Sequence, residues 1–254
     1  MIAVIGGTGV GDALRLDAAV AERVETPYGP CAVIRGRLGA RPVLFLPRHG
    51  TGHALPPHRI NYRANLWGLC ALGADQILAT AAVGSLNPAM RPGECVVVDQ
   101  FLDFTKSRPL TFYDERPVHT DMTDPYCSAL RSALVAAAGA VGAAVHREGC
   151  YACTEGPRYE SRAEIRALQR LGADVVGMTG IPEVILAREL GLCYACLAVV
   201  TNWAAGMASG PLSHEDVARV MAERMEQLPA ILALAAEGLA DRKERECGCP
   251  PRQG

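Results

Sequence analysis

Arg48 and His49 follow the apolar run 43–46, in the segment Pro47-Arg48-His49-Gly50. An arginine beside a histidine at the end of a strand supplies fixed positive charge and planar donors, a combination suited to phosphate. A surface Arg-His pair is the plainer alternative; the position after an apolar strand favours the functional one. Near the start, Gly6-Gly7-Thr8-Gly9 follows another apolar run, 2–5. A glycine turn there lets backbone N–H groups approach an anion, with the Thr8 hydroxyl as one more donor, and a plain structural turn fits the segment equally. Neither nucleotide signature is complete: Asp12 stands where the dinucleotide fingerprint needs glycine, and no Gly-Lys-Ser/Thr ending is present. A further set lies between 151 and 183. Glu160 directly precedes Ser161, which has Glu164 three places on, a helix-start pattern. Tyr159, Glu160, Met178 and Thr179 therefore fall at the ends of elements, where site residues gather in α/β proteins.

The elements that must position these residues alternate along the chain. Apolar runs predict strands over 2–5, 43–46, 77–83, 95–98, 174–178 and 192–201. Helical spacing runs from Arg59 through Ile60, Ala64, Trp67 and Ala71, with Trp67 read as core rather than ligand contact. Further helices are predicted over 128–141, from Ser161 to about Leu171 where Gly172 stops it, and after Pro182. The strand 192–201 ends in Asn202-Trp203-Ala204. Ser213-His214-Glu215-Asp216 repeats the capping pattern and opens a last helix to about Ala240, bent or interrupted by Pro229. Residues 103–125, with His119 inside, form the longest irregular stretch, expected as a lid, a subunit contact or part of a site. No repeat and no linker is visible. The expectation is a single α/β domain over 1–240, a central mixed β-sheet flanked by helices, followed by a flexible charged tail, 241–254, carrying Cys247-Gly248-Cys249.

Composition narrows the partners. The 254 residues carry 25 basic and 27 acidic side chains, net −2, with no basic block, so nucleic acid is not an expected partner. There is neither a long apolar span nor a signal-peptide pattern, so no membrane contact and a cytoplasmic location are expected. Of the ten cysteines, Cys150-x-x-Cys153 and Cys193-x-x-Cys196 have zinc-like spacing. Both lie in strand-like segments, where residues three apart point to opposite faces, so buried apolar cysteine is expected and no metal. The tail pair, Cys247 and Cys249, is read as part of a disordered end, with a redox-sensitive or stabilising pair as the alternative.

Taken in order, IGGTG, RHG, NYRANLW, EGPRYESRAE, GADVVGMTGIPE and VVTN resemble the trimeric nucleoside phosphorylase family over nearly the whole chain to about Ala240. That family includes the methylthioadenosine and methylthioinosine phosphorylases and the low-molecular-mass purine nucleoside phosphorylases. The resemblance implies phosphorolysis, in which inorganic phosphate attacks the anomeric carbon of a purine nucleoside and releases base and ribose 1-phosphate. It assigns Thr8, Arg48, His49 and Thr179 to phosphate, with the backbone around Ala81-Ala82 as a further contact. Methylthioadenosine phosphorylases carry threonine at the place of Ala81, so one hydroxyl is absent here. No metal or organic cofactor is implied, phosphate being a co-substrate. His119 matches a histidine that reaches a neighbouring subunit's site, which implies a homotrimer, or a hexamer built from it.

The same resemblance bears on the substrate. Adenine-specific members end the late strand in a TDYD-like run, whereas this chain has Thr201-Asn202-Trp203-Ala204. An asparagine amide can donate to purine N7 and serve a 6-oxo group. After the EGPRY tyrosine, methylthioadenosine phosphorylases usually have serine, and here Glu160 stands. A carboxylate accepts the N1–H of hypoxanthine or guanine and repels adenine's bare N1 lone pair, a discrimination of about tenfold or more. Asn202, Glu160 and His49 are thus the expected catalytic groups, with Tyr159, Met178, Trp203 and Ala204 against base and ribose. His214 aligns with a residue that contacts the 5′-hydroxyl, or is only a first-turn helix residue beside Ser213. The expected activity is phosphorolysis of inosine and guanosine, with S-methyl-5′-thioinosine phosphorolysis as the alternative. An adenosine-type methylthio enzyme and a purine-binding regulator without catalysis rank behind these.

Overall fold

Among the described residues, eleven strands form one mixed sheet. In chain order they are β1 (Ile2–Gly6), β2 (Asp17–Thr26), β3 (Gly29–Leu38), β4 (Arg41–Pro47), β5 (Gln76–Ser85), β6 (Cys95–Val97), β7 (Gln100–Phe104), β8 (Val145–His146), β9 (Cys150–Thr154), β10 (Val175–Gly177) and β11 (Cys193–Trp203). The helices are α1 (Tyr62–Ala71), α2 (Ser128–Ala140), α3 (Arg162–Arg170), α4 (Gly180–Glu189) and α5 (Leu228–Gly238). The computed structural model describes residues 1–7, 10, 14–208, 219–223, 227–241 and 247–251.

β5 is the hub. Along one edge it pairs in parallel with β11 over its whole length, from Gln76 opposite Cys193 to Ser85 opposite Trp203. Along the other edge its first residues, Gln76 to Ala79, pair in parallel with β1, and its last two, Gly84 and Ser85, pair with the antiparallel β10. Residues 80–83 are therefore flanked on that edge by the diverging ends of β1 and β10. Neighbouring strands that part in this way leave a crevice, and in α/β sheets such a crevice is where ligands bind.

Both faces of the sheet are covered. Leu66 and Leu69 of α1 with Val184, Leu186 and Ala187 of α4 pack on Ile5, Leu44 and Ile77. Leu130 and Leu134 of α2 with Ile231 and Leu232 of α5 pack on Val4, Phe45 and Leu197. Burial on both sides is why β1, β5 and β11 read as near-continuous apolar runs rather than alternating ones.

Several boundaries differ from the sequence expectation, each for a local reason. The hairpin β2–β3 was not expected. β2 has no fully buried residue, so its charged, largely exposed run carries no apolar signal. The irregular stretch gives up Asp103 and Phe104 to β7, which pairs with β9. α1 starts at Tyr62 rather than Arg59, because Asn61 caps it by accepting from the Ala64 N–H at 3.1 Å, while Ile60 is extended. Pro229 marks an interruption, as expected: residues 219–223 are helical, 227 is a turn, and α5 starts anew at Leu228 with Pro229 in its first turn, where no intrahelical N–H is required. α3 has the predicted capping box, Ser161 Oγ with the Glu164 N–H and the Glu164 carboxylate with the Ser161 N–H. The predicted cap at Ser213 lies outside the described residues.

Candidate active site

A cavity of about 250 Å³ occupies the crevice beside β5. Its walls come from the ends of β1, β4, β10 and β11, so residues remote in sequence converge on it. Of the sequence candidates, Arg48, His49, Ala82, Tyr159, Glu160, Met178, Thr179, Asn202 and Ala204 line it. Trp203 is half-buried and does not line it, because the strand parity that turns Asn202 inward turns its neighbour away. The same parity separates the two alanines: Ala82 faces the cavity, whereas the Ala81 side chain is 2% exposed in the core. His119 is exposed in the irregular stretch and does not line this chain's cavity. Thr8 and His214 lie outside the described residues.

One end of the cavity is built for an anion. Arg48 is 1% exposed, and its guanidinium is gripped on every side. Nε donates to Glu183 Oε1 at 2.5 Å, Nη2 to Glu183 Oε2 at 2.8 Å, and Nη1 to the Thr80 carbonyl at 2.7 Å. Tyr194 donates its hydroxyl to Glu183 Oε2 at 2.7 Å, fixing the carboxylate in turn. Burial opposes the arginine's charge, and the facing Glu183 outweighs it, holding the guanidinium above its ordinary range. Gly7 closes this corner. A Cβ there would stand 2.8 Å from Arg48 Nη1 and 3.2 Å from the Thr80 carbonyl, so only glycine admits the arginine. Thr179 is the N-cap residue of α4, so the open first turn of that helix adds partial positive charge.

His49 contributes as a neutral ring. Its Nδ1 lies 2.8 Å from the Leu55 carbonyl, which requires Nδ1–H and leaves Nε2 with a lone pair. Burial, and then the Arg48 charge, lower its pKa from 6.5 to about 4. His53, which belongs to none of the quoted motifs, stacks on it with ring centroids 4.0 Å apart and lines the cavity. Below pH 6.5 the unfolded chain gains a proton that folded His49 refuses, so this group costs stability as pH falls from about 6.5 to about 4. The loss across that window is on the order of 2–3 kcal/mol. His49→Gln is expected to flatten that part of a melting-temperature profile, and an unchanged slope would assign the loss to other groups.

The other end carries an acceptor and a donor. Glu160 is 9% exposed, and its Oε1 accepts the Thr154 hydroxyl at 2.6 Å. That bond orients the carboxylate and leaves its other lone pairs for a ligand. Asn202 follows an irregularity in the β11 register, between Val200 and Asn202. Its Oδ1 accepts from Thr201 Oγ1 at 2.8 Å and its Nδ2 donates to the Trp203 carbonyl at 2.9 Å, so one N–H remains to be offered. Tyr159, 37% exposed, and Met178 supply apolar surface between the two ends. Arg108 ties the irregular stretch to this wall, donating to the Met178 and Glu155 carbonyls, each at 2.5 Å. No quoted motif contains Arg108 or Thr154, and although Glu183 closes the run GADVVGMTGIPE, its partner Arg48 lies 135 residues away.

A mixed sheet opened at one crevice, with anion donors at one end and a carboxylate and a carboxamide at the other, is the build of an α/β enzyme for a polar small molecule joined to an anion. The chain belongs to the Phosphorylase superfamily, whose family model matches residues 1–237. It is 52% identical over 256 residues to the probable 6-oxopurine nucleoside phosphorylase of Thermococcus kodakarensis, an alignment covering 98% of this chain and 95% of the relative. It is 48% identical over 256 residues to the probable S-methyl-5′-thioinosine phosphorylase of Methanothermobacter thermautotrophicus, covering 98% and 87%. Among solved structures, the methylthioadenosine phosphorylase of Schistosoma mansoni in complex with adenine superposes with a TM-score of 0.88 at 35% identity, over 93% of this chain and 90% of the other.

Proposed function

We propose that this chain is a 6-oxopurine nucleoside phosphorylase, which converts inosine or guanosine and inorganic phosphate to free base and ribose 1-phosphate. The observation that carries the reading is Glu160: a buried carboxylate, locked by Thr154, on the wall of the cavity that also holds Asn202 and the Arg48 corner. A lactam N1–H satisfies that carboxylate, and an adenine N1 cannot.

In the reaction the C1′–N9 bond breaks with its electron pair passing to the purine, and a phosphate oxygen forms the new bond to C1′. The proton carried by phosphate ends on the departing base, so atoms and charge balance. The remaining Asn202 N–H donates toward N7, where negative charge grows as the bond breaks. Glu160 holds the N1–H edge. Arg48, the Thr179 corner and the backbone about Ala82 hold phosphate beneath the ribose, and Thr8 is assigned there too. Nε2 of neutral His49 accepts the phosphate O–H, which orients the nucleophile. The reaction draws on no metal or organic cofactor. No helix among the described residues is long and apolar enough to cross a membrane, and we place the enzyme in the cytoplasm. Exposed His119 is assigned to a neighbour's site in a homotrimer.

The test is base release from inosine, guanosine, adenosine and their methylthio analogues, with and without phosphate. Strict phosphate dependence and preference for 6-oxopurines are expected; binding without base release would make the protein a purine sensor. The relative named for S-methyl-5′-thioinosine keeps a second reading in view. With His214 on the 5′-hydroxyl, kcat/KM for inosine should exceed that for methylthioinosine, and the reverse order would establish the alternative.

A further inference from the structure

Four cysteines from three parts of the chain meet at the end of the sheet away from the cavity. Cys127 is the N-cap residue of α2, Cys193 opens β11, and Cys247 and Cys249 come from the C-terminal segment. All four Sγ atoms lie within 4.8 Å of one another, and Cys193 Sγ is 3.6 Å from Cys247 Sγ. Disulfide sulfurs stand about 2.05 Å apart. Four sulfurs about 2.3 Å from a central zinc ion stand about 3.8 Å from each other, the edge of a tetrahedron. The Cys193–Cys247 separation matches the second spacing and not the first, and all four cysteines are free thiols.

We propose that Cys127, Cys193, Cys247 and Cys249 bind one zinc ion, a structural site that fastens the C-terminal segment to the body of the protein. On binding, the four thiols lose their protons to solvent and the sulfurs bond to the metal as thiolates; no oxidant is involved. Four protein sulfurs leave no open coordination position, so the ion serves the fold and not the chemistry. The surroundings suit it. Cys127 stands at the N-terminal end of α2, where the partial positive charge of the open first turn favours a thiolate. Cys127 and Cys193 are buried, and Cys247 and Cys249, partly buried, pack against the same apolar cluster. The zinc-like spacings in the sequence did not reveal this site. Cys193 and its spacing partner Cys196 belong to opposite faces of the sheet, and the set is completed from elsewhere. Asn202 stands nine residues along β11, roughly 30 Å from the cluster, so this site and the proposed phosphorolysis stand or fall separately.

The test uses the full chain, purified without chelator and, separately, stripped and reconstituted with zinc under reducing conditions. Elemental analysis should give a single zinc ion per chain, and cobalt(II) in its place should show the strong visible absorption of a tetrahedral thiolate complex. Cys249→Ser and Cys127→Ser should each lose the metal and lower the melting temperature. Chelation should bring the parent protein down to the same level, with base release at ambient temperature retained. The reconstitution arm needs no variant and so decides the matter even if Cys127→Ser does not fold. Absence of bound metal after reconstitution would overturn the proposal. So would a thiol titration of the denatured, unreduced protein that finds these cysteines joined in disulfides.

Discussion

Glu183→Gln is expected to destabilise the protein by about 3–5 kcal/mol and to make its stability depend steeply on phosphate. In the parent protein Glu183 accepts Nε and Nη2 of Arg48, and both side chains are 1% exposed. Glutamine keeps the volume and removes the charge, so a guanidinium that cannot shed its proton is left without a counter-ion in the interior. For a chain of this size the cost corresponds to a fall in melting temperature of roughly 10 °C. Phosphate in the adjoining cavity is then the nearest anion available. Saturating phosphate should therefore return a larger share of the lost stability in the variant than it adds to the parent, through its preferential binding to the folded state. Removing both partners separates the fold from the site. Arg48→Met with Glu183→Leu should recover most of the stability, as apolar replacement of buried ion pairs often does, and should lose productive phosphate binding. Melting curves of the three proteins at zero and saturating phosphate test this. A Glu183→Gln variant that melts with the parent would mean that the pair does not hold Arg48 in place.

How much of this was open to a reader of the sequence depends on how local each cause is. The capping box of Ser161 and Glu164 and the strand that delivers Arg48 rest on neighbours within a few residues, and both are legible. Which of Ala81 and Ala82 lines the cavity was not legible: the resemblance assigned the backbone of both, and only the structure shows Ala82 on the cavity wall with Ala81 in the core. Glu183, by contrast, meets Arg48 across 135 residues, and Thr154 is known as the partner of Glu160 only once β9 and α3 are in place. The crevice itself is set by where β1 stops and β10 begins along β5, a register that no single run of residues encodes. The cysteine cluster shows the same limit. Its three parts, at Cys127, Cys193 and Cys247-Gly248-Cys249, lie tens of residues apart, and the segment read as a loose tail supplies half of the ligands.

Glu160→Gln is expected to lower kcat/KM for inosine by about 10- to 100-fold with little change in fold stability. A hydrogen bond to a charged acceptor contributes about 1.5–3 kcal/mol, and glutamine can present its carbonyl in some orientations but not the charge. Thr154 donates to Glu160 Oε1 at 2.6 Å and to the Gly177 carbonyl at 3.4 Å, so one hydroxyl proton has a competing acceptor ready once the carboxylate is gone. The amide is then free to turn its NH2 toward the lactam N1–H, which opposes binding outright. Adenosine should respond in the other direction, because its N1 lone pair no longer meets a carboxylate and can accept from that NH2. Combining Glu160→Ser with Asn202→Asp goes further: the serine hydroxyl can donate to N1, and the aspartate can accept from a protonated N7 and the exocyclic amine. That pair should move the ratio of kcat/KM values toward adenosine by more than the sum of the single changes, since both residues bind one ring. Thr154→Val offers the control for positioning. It leaves the carboxylate in place but removes its tether, so inosine activity should fall less than in Glu160→Gln while selectivity against adenosine narrows. Steady-state rates for both nucleosides across Glu160→Gln, Thr154→Val, Glu160→Ser, Asn202→Asp and the combined pair decide the point. Selectivity that survives both Glu160 substitutions would place the reading of the base edge on other residues of the cavity.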